Sequence, residues 1–302
     1  MNIPFVFRTF VALSLVMLPL TAFATNEPIR LEPISKWVVN YGDDSCRLSR
    51  KFGSTDLYGI LILDRFGLGD AFDITLAGPV FKKIRNSEVL EFKFGPNEEQ
   101  QSGEFFVGQL GETIPTLVMR GSFRIAPIAK AEEIEFKKHK DDFGFHLPLL
   151  GRDREAAVSE LTIGSPLRQP VQLALGSMKA PFSAMNKCVG QLLTTWGIDV
   201  ERHATLSKSA QPIGNSGKWI QSNDYPPKMV AKGQPALITF RLSIDAMGAP
   251  SACHIQQSVG GKEFDEASCK ALMKRAKFEP ALDAHKKPMA SYYRSRVVFL
   301  PG

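Results

Sequence analysis

At 302 residues, 44% hydrophobic and 23% charged, the chain has the composition of a folded globular protein, and past its first residues no stretch is long and apolar enough to cross a bilayer. The formal net charge of +6 is uneven: from Asn223 onward 12 Lys+Arg stand against 7 Asp+Glu, whereas residues 25–222 carry 24 of each. The basic excess suits solubility or an acidic partner such as peptidoglycan, anionic lipid or an acidic peptide, and with no aromatic–basic motif no nucleic-acid partner is expected.

Met1–Ala24 has one positive charge, Arg8, an apolar run from about Phe10 to Leu20, and Ala22-Phe23-Ala24 before Thr25. The run is well short of the ~20 residues that span a bilayer, so the pattern predicts a cleaved secretory signal and a periplasmic protein. The alternative is an uncleaved inner-membrane anchor with the rest of the chain facing the periplasm.

Residues 25–200 are expected to form a β-rich domain. Trp37–Tyr41 leads into Cys46–Arg50, and Leu57–Leu63, Ala71–Leu76, Val89–Phe94, Gly103–Leu110, Thr116–Ile125, Ser159–Ile163 and Val171–Leu175 follow as strands, with Gly or Pro at most junctions. Phe182–Trp196 then predicts an amphipathic helix with Met185, Cys188, Val189, Leu192 and Trp196 on one face and Gly197 as its stop. Residues 201–221 turn polar and predict a linker, pinned by Trp219.

The last segment, 222–302, predicts one small module. Pro235–Asp245 alternates Ile238, Phe240, Leu242 and Ile244 against polar neighbours, Ala252–Gln257 points Cys253 and Ile255 inward, and Phe264–Ala276 is a helix with acidic residues at its start and basic ones at its end. Ala290–Leu300 supplies the third strand. The fold class is therefore α+β: a β-rich N-terminal domain plus a small β-β-α-β domain with a three-stranded antiparallel sheet.

Four cysteines in an oxidising compartment imply two disulfides. Cys253 on the inward strand face and Cys269 on the inward helix stripe make one pair, worth roughly 3 kcal/mol by loop entropy. Cys46 and Cys188 remain as the other. No C-x-x-C spacing suggests a metal or redox site.

Tyr225-Pro226, Gly248, Ser258-Val259-Gly260, Phe264-Asp265, Arg275-Ala276-Lys277-Phe278-Glu279-Pro280-Ala281 and Val297-Val298-Phe299, in this order, resemble the TonB C-terminal domain. The resemblance implies that the last strand forms a sheet edge able to pair with an extended peptide of an outer-membrane receptor, the mode in which main-chain bonds supply affinity and alternate side chains selectivity. Ser222, Tyr225, Pro226, Tyr292, Arg294 and Arg296 are then the candidate partner-binding residues, with the last three on the outward side of the strand. Ser222 stands where such domains often carry Gln. The apolar run lacks a His, and the 20 prolines are scattered rather than gathered in a spacer, unlike an anchored TonB. Residues 45–53 and 188–197 resemble a domain of exported proteins with TonB-like modules, to which no activity attaches.

No catalytic constellation stands out. The histidines at 139, 146, 203, 254 and 285 are dispersed, His139 sits in a charge run, and the pairs Glu132-Glu133 and Asp141-Asp142 have no spacing rule behind them. His254 is expected at the surface. No cofactor or metal is expected. The reading is a periplasmic binding module for a protein or cell-wall partner, not an enzyme, and its open edge also allows homodimers by strand exchange. The alternatives are TonB-type energy transduction from an anchored N-terminus, and an exported hydrolase or ligand-binding protein acting through residues 26–200.

Overall fold

The computed structural model describes residues 27–127 and 151–300. The expected export signal, His139, His146, Glu132-Glu133 and Asp141-Asp142 lie outside the described residues. Among the described residues no helix is long and apolar enough to cross a membrane.

Ten strands make the N-terminal sheet: β1 (Ile29–Leu31), β2 (Val38–Tyr41), β3 (Cys46–Gly53), β4 (Tyr58–Arg65), β5 (Asp73–Ala77), β6 (Val89–Phe94), β7 (Gln101–Leu110), β8 (Ile114–Met119), β9 (Glu160–Ile163) and β10 (Val171–Ala174). Their order is β1-β10-β9-β6-β7-β8-β5-β4-β3-β2, parallel only between β1 and β10. The chain leaving β1 then meets the far side of the sheet. Ile34 N donates to Lys51 O at 3.0 Å and Gly53 N to Glu32 O at 2.8 Å, so the sheet closes on itself through β3. Closure removes most of the free edge.

One apolar cluster fills this domain, including Leu48, Phe52, Leu61, Leu63, Phe72, Phe94 and Leu173. Its lid is α2 (Lys179–Thr195), which buries Phe182, Met185, Cys188, Val189, Leu192 and Leu193 in the same cluster. Each such side chain contributes on the order of 2 kcal/mol by leaving water. The helix begins three residues before Phe182 and stops as expected. Ile198 N bonds Leu193 O at 3.0 Å and Gly197 N bonds Thr194 O at 2.9 Å, with Gly197 at φ 76°. These are the two bonds of a Schellman cap, and its left-handed residue favours glycine. The Cys46–Cys188 disulfide ties the helix to β3. A short helix, α1 (Arg152–Ala157), precedes β9. The strand expected over Thr116–Ile125 ends at Met119, where Gly121 turns the chain, and resumes only as a bridge from Phe123 to Phe72.

The segment expected as a linker is built into the structure. It contains α3 (Val200–Ala204) and β11 (Gln211–Pro212). Trp219 is buried against Phe278 and Tyr293, the anchor its indole predicts. The polar stretch is therefore a strap, because Ala210 and Trp219 have apolar surface to bury on the C-terminal core.

After α4 (Pro227–Ala231), the C-terminal module has β12 (Ala236–Ile244) at the centre of its sheet, between β13 (Pro250–Val259) and β17 (Ser291–Phe299). Ile238, Phe240, Leu242 and Ile244 pack with Phe264 and Leu272 of α5 (Lys262–Arg275), as their alternation demands. The Cys253–Cys269 disulfide staples β13 to α5. Then β14 (Phe278–Glu279) pairs with β11, and β15 (Ala281–Leu282) with β16 (Pro288–Met289). Gly248 fits its turn for two reasons: φ is 85°, and a Cβ would lie 2.0 Å from Phe278 O.

Candidate functional site

β17 pairs with β12 alone, in antiparallel register from Ser291↔Ile244 to Phe299↔Ala236. Its other side has no ladder partner among the described residues. Every second backbone group there faces outward, which is what an added strand needs.

Two cavities flank this edge on opposite faces of the sheet. On the α5 face, a cavity of about 280 Å³ is lined by Ser216, Trp219, Ile220, Tyr293, Ser295 and Val297 among others. Its outer wall is the 216–220 strap. Arg275 holds that strap down, donating from Nε to Trp219 O at 2.8 Å and pairing with Asp224.

The other face of the sheet, expected to be open, is covered by the N-terminal domain. Arg294 donates to Gln256 Oε1 at 3.0 Å, reaches Asp73 Oδ2 at 3.3 Å and lies 3.6 Å from the Phe66 ring centroid. Arg296 is 3.5 Å from the same Asp73 oxygen. Arg241, on β12, is only 2% exposed, sits 3.8 Å over Trp196 and is 3.9 Å from Asp44. Gln256 Nε2 adds a bond to Asp44 O at 3.0 Å. Burial lowers the pKa of Arg241 and Arg294, and the neighbouring Asp44 and Asp73 oppose that shift.

Tyr292 is the hub of the interface. Its ring meets Trp196 edge-on at 5.4 Å and stacks on His203 at 5.3 Å, and burial raises its phenol pKa. His203, on α3, bonds Ser291 Oγ through Nε2 at 2.9 Å, while its buried Nδ1 has no hydrogen-bond partner among the described residues. Burial pushes its pKa down to about 4, because the charged ring would lose its water. Gly67 lets this packing close: a Cβ there would lie 1.8 Å from the Tyr292 hydroxyl oxygen. The second of the two cavities, about 160 Å³, opens where the two domains meet and is lined by Phe66, Leu68, Ala71, Ser122, Tyr292 and Arg294 among others.

The six residues singled out in the sequence therefore separate. Tyr225 is a fold residue: its ring packs on Phe264 and Phe299 and its hydroxyl donates to Gln234 O. Pro226 caps α4. Ser222 is exposed at the start of a single 3₁₀ turn, just beyond the strap. Tyr292, Arg294 and Arg296 do lie on the face away from α5, but there Tyr292 meets Trp196 and Arg294 meets Phe66 and Asp73, while Arg296 reaches Asp73 and stays exposed. His254 is exposed. What sequence reasoning missed was the acidic counter-surface, Asp44 and Asp73, together with His203.

The described residues hold no cluster of three His, Cys, Asp or Glu side chains suited to a metal. The largest of these cavities, about 480 Å³ between α1 and α2, is lined by Asp153, Glu155, Lys179, Ser183, Asn186 and Lys187 among others. Beneath it the buried Arg65 bonds Glu155 and Asn186. Among the described residues no His or Cys lines it.

No curated protein and no solved structure matches the chain. Residues 221–300, which contain β12, β13, α5 and β17, match the family model described as Gram-negative bacterial TonB protein C-terminal, so this part of the chain is similar to that domain.

Proposed function

We propose that the protein is a TonB-like binding module of the cell envelope that captures an extended peptide segment of a partner protein along the open edge of β17. The observation that carries this reading is the unpaired edge itself, bordered by a groove between Ser295–Val298 and the 216–220 strap. TonB C-terminal domains generally interact with outer-membrane receptors, so a receptor peptide is the partner class the family supports. Affinity would come from main-chain bonds to β17, and a side chain in the 280 Å³ groove would set register. The role is recognition rather than catalysis, and a periplasmic location after signal cleavage fits it.

The test is selection of displayed ten-residue random peptides on the full, disulfide-bonded protein. Related peptides should emerge whose binding is lost when Ser216→Trp fills the groove. If no peptide is selected, or if the selected ones bind that variant as well as the parent, the edge-pairing reading is wrong.

A further inference from the structure

An added strand beside β17 would not touch the TonB-like module alone. Because side chains of a strand alternate between faces, half of those on an incoming peptide point toward α5 and half toward the N-terminal domain. On the first face they meet the groove behind Ser295–Val298. On the second they meet the interdomain cavity, whose floor is Tyr292 and Arg294 and whose wall is the β4–β5 loop with Phe66, Leu68 and Ala71.

We propose that this loop of the N-terminal domain is the second wall of the peptide site, and that it selects an acidic side chain. The proposal rests on edge pairing at β17 and adds the ligand chemistry. Charge at the cavity supports it. Asp64 is already neutralised by Arg47, which donates from Nε and Nη2 at 2.8 and 2.9 Å. One carboxylate, Asp73, is left to serve Arg294, Arg296 and the Ser122 hydroxyl together. Two guanidinium groups against one shared carboxylate leave net positive charge at the cavity, and a peptide Asp or Glu would balance it.

Geometry also sets the spacing. The interdomain cavity is centred on Tyr292–Arg294 and the groove on Ser295–Val298, roughly three residues or ~10 Å further along the strand. Opposite faces require an odd separation, so the acidic residue and the groove-filling residue should stand three apart in the peptide.

The experiment measures fluorescein-labelled peptides, chosen by the selection above, against the full protein and two variants, Ser216→Trp and Ala71→Trp. Ala71 is exposed at the cavity wall, so its replacement fills the cavity without entering the core; an unchanged melting curve checks this. The expected result is an acid three residues from the groove anchor and about tenfold or greater weakening by each variant. Changing that acid to its amide should weaken binding to the parent and have little further effect on Ala71→Trp. Parent-like binding to Ala71→Trp with loss on Ser216→Trp overturns the second wall and leaves edge pairing standing. Loss on Ala71→Trp alone, indifference to both variants, or failure to select any peptide overturns edge pairing and the second wall with it.

Discussion

Removing the Arg294 guanidinium should weaken the interface between the two domains, and the cost can be worked from its three contacts, two across the interface and one, to Gln256, within the C-terminal sheet. Against Asp73 at 3.3 Å, with the two side chains 19% and 14% exposed, the Coulomb attraction is about 5 kcal/mol at an effective dielectric of about 20. Desolvation of both groups offsets much of that, leaving about 2 kcal/mol for the pair. The guanidinium over Phe66 and the bond to Gln256 contribute about 1 kcal/mol each. Arg294→Ala should therefore cost about 3–4 kcal/mol, whereas Asp73→Ala leaves Arg294 its other two contacts but also removes those with Arg296 and Ser122. A double-mutant cycle in urea, with Arg294→Ala, Asp73→Ala and both, isolates the ion pair. The expected coupling is about 2 kcal/mol, and the single variants should also become more sensitive to proteolysis in the strap at 205–217. A coupling under about 0.5 kcal/mol would mean that the pair is an ordinary surface contact and that the domains dock for other reasons.

Two further outcomes follow from the covalent and titratable groups. Replacing Cys46 and Cys188 by Ala, across a sequence separation of 142, should cost the N-terminal domain about 5 kcal/mol on the chain-entropy estimate, against about 3 kcal/mol for Cys253 and Cys269 across 16. Denaturant midpoints of the two double variants check the order, and a larger loss in the second would contradict it. His203 binds fewer protons folded, with a pKa of about 4, than unfolded at 6.5. Its contribution is therefore complete above pH 6.5 and is lost as pH falls toward 4, by about 1–2 kcal/mol once partial solvent access is allowed for. His203→Phe should flatten the stability profile between pH 6.5 and 4; an unchanged slope would show that other groups cause it. Asp283, lowered to about 2 chiefly by its bond from Arg202, acts in a separate, more acid window.

The C-terminal module was legible because local signals agreed with one another. Alternation in 236–244, the charge gradient along 262–275 and a cysteine on each inward face all point to the same strand–helix packing, and the observed elements lie within a few residues of those expected. The strands of the N-terminal domain were legible one by one for the same reason. Their closure was not, because it depends on a three-residue strand, Ile29–Leu31, and on bonds from Glu32 and Ile34, too short a stretch to show any period. The strap was misread as a linker because Gly, Ser and Asn dominate 214–217, and only Trp219 marked its buried end.

Arg241 shows why the second sheet face escaped a reading of β17 alone. Tyr292, Arg294 and Arg296 alternate on an edge strand, where polar side chains facing solvent are the ordinary outcome. An arginine at the middle of a central strand is different. On β12 it has neighbours on both sides, and a guanidinium held there at 2% exposure needs an acidic and aromatic counterpart from elsewhere in the chain. Trp196 at the end of α2 and Asp44 ahead of β3 supply that counterpart. They lie on the two chain segments that the Cys46–Cys188 disulfide binds together, so the bridge that secures the N-terminal core also helps fix the surface on which the TonB-like sheet rests. The covered face and the open edge are thus parts of one arrangement. The N-terminal domain holds the sheet by its flat side and, among the described residues, leaves the outer edge of β17 without a ladder partner, with its own loop set beside that edge.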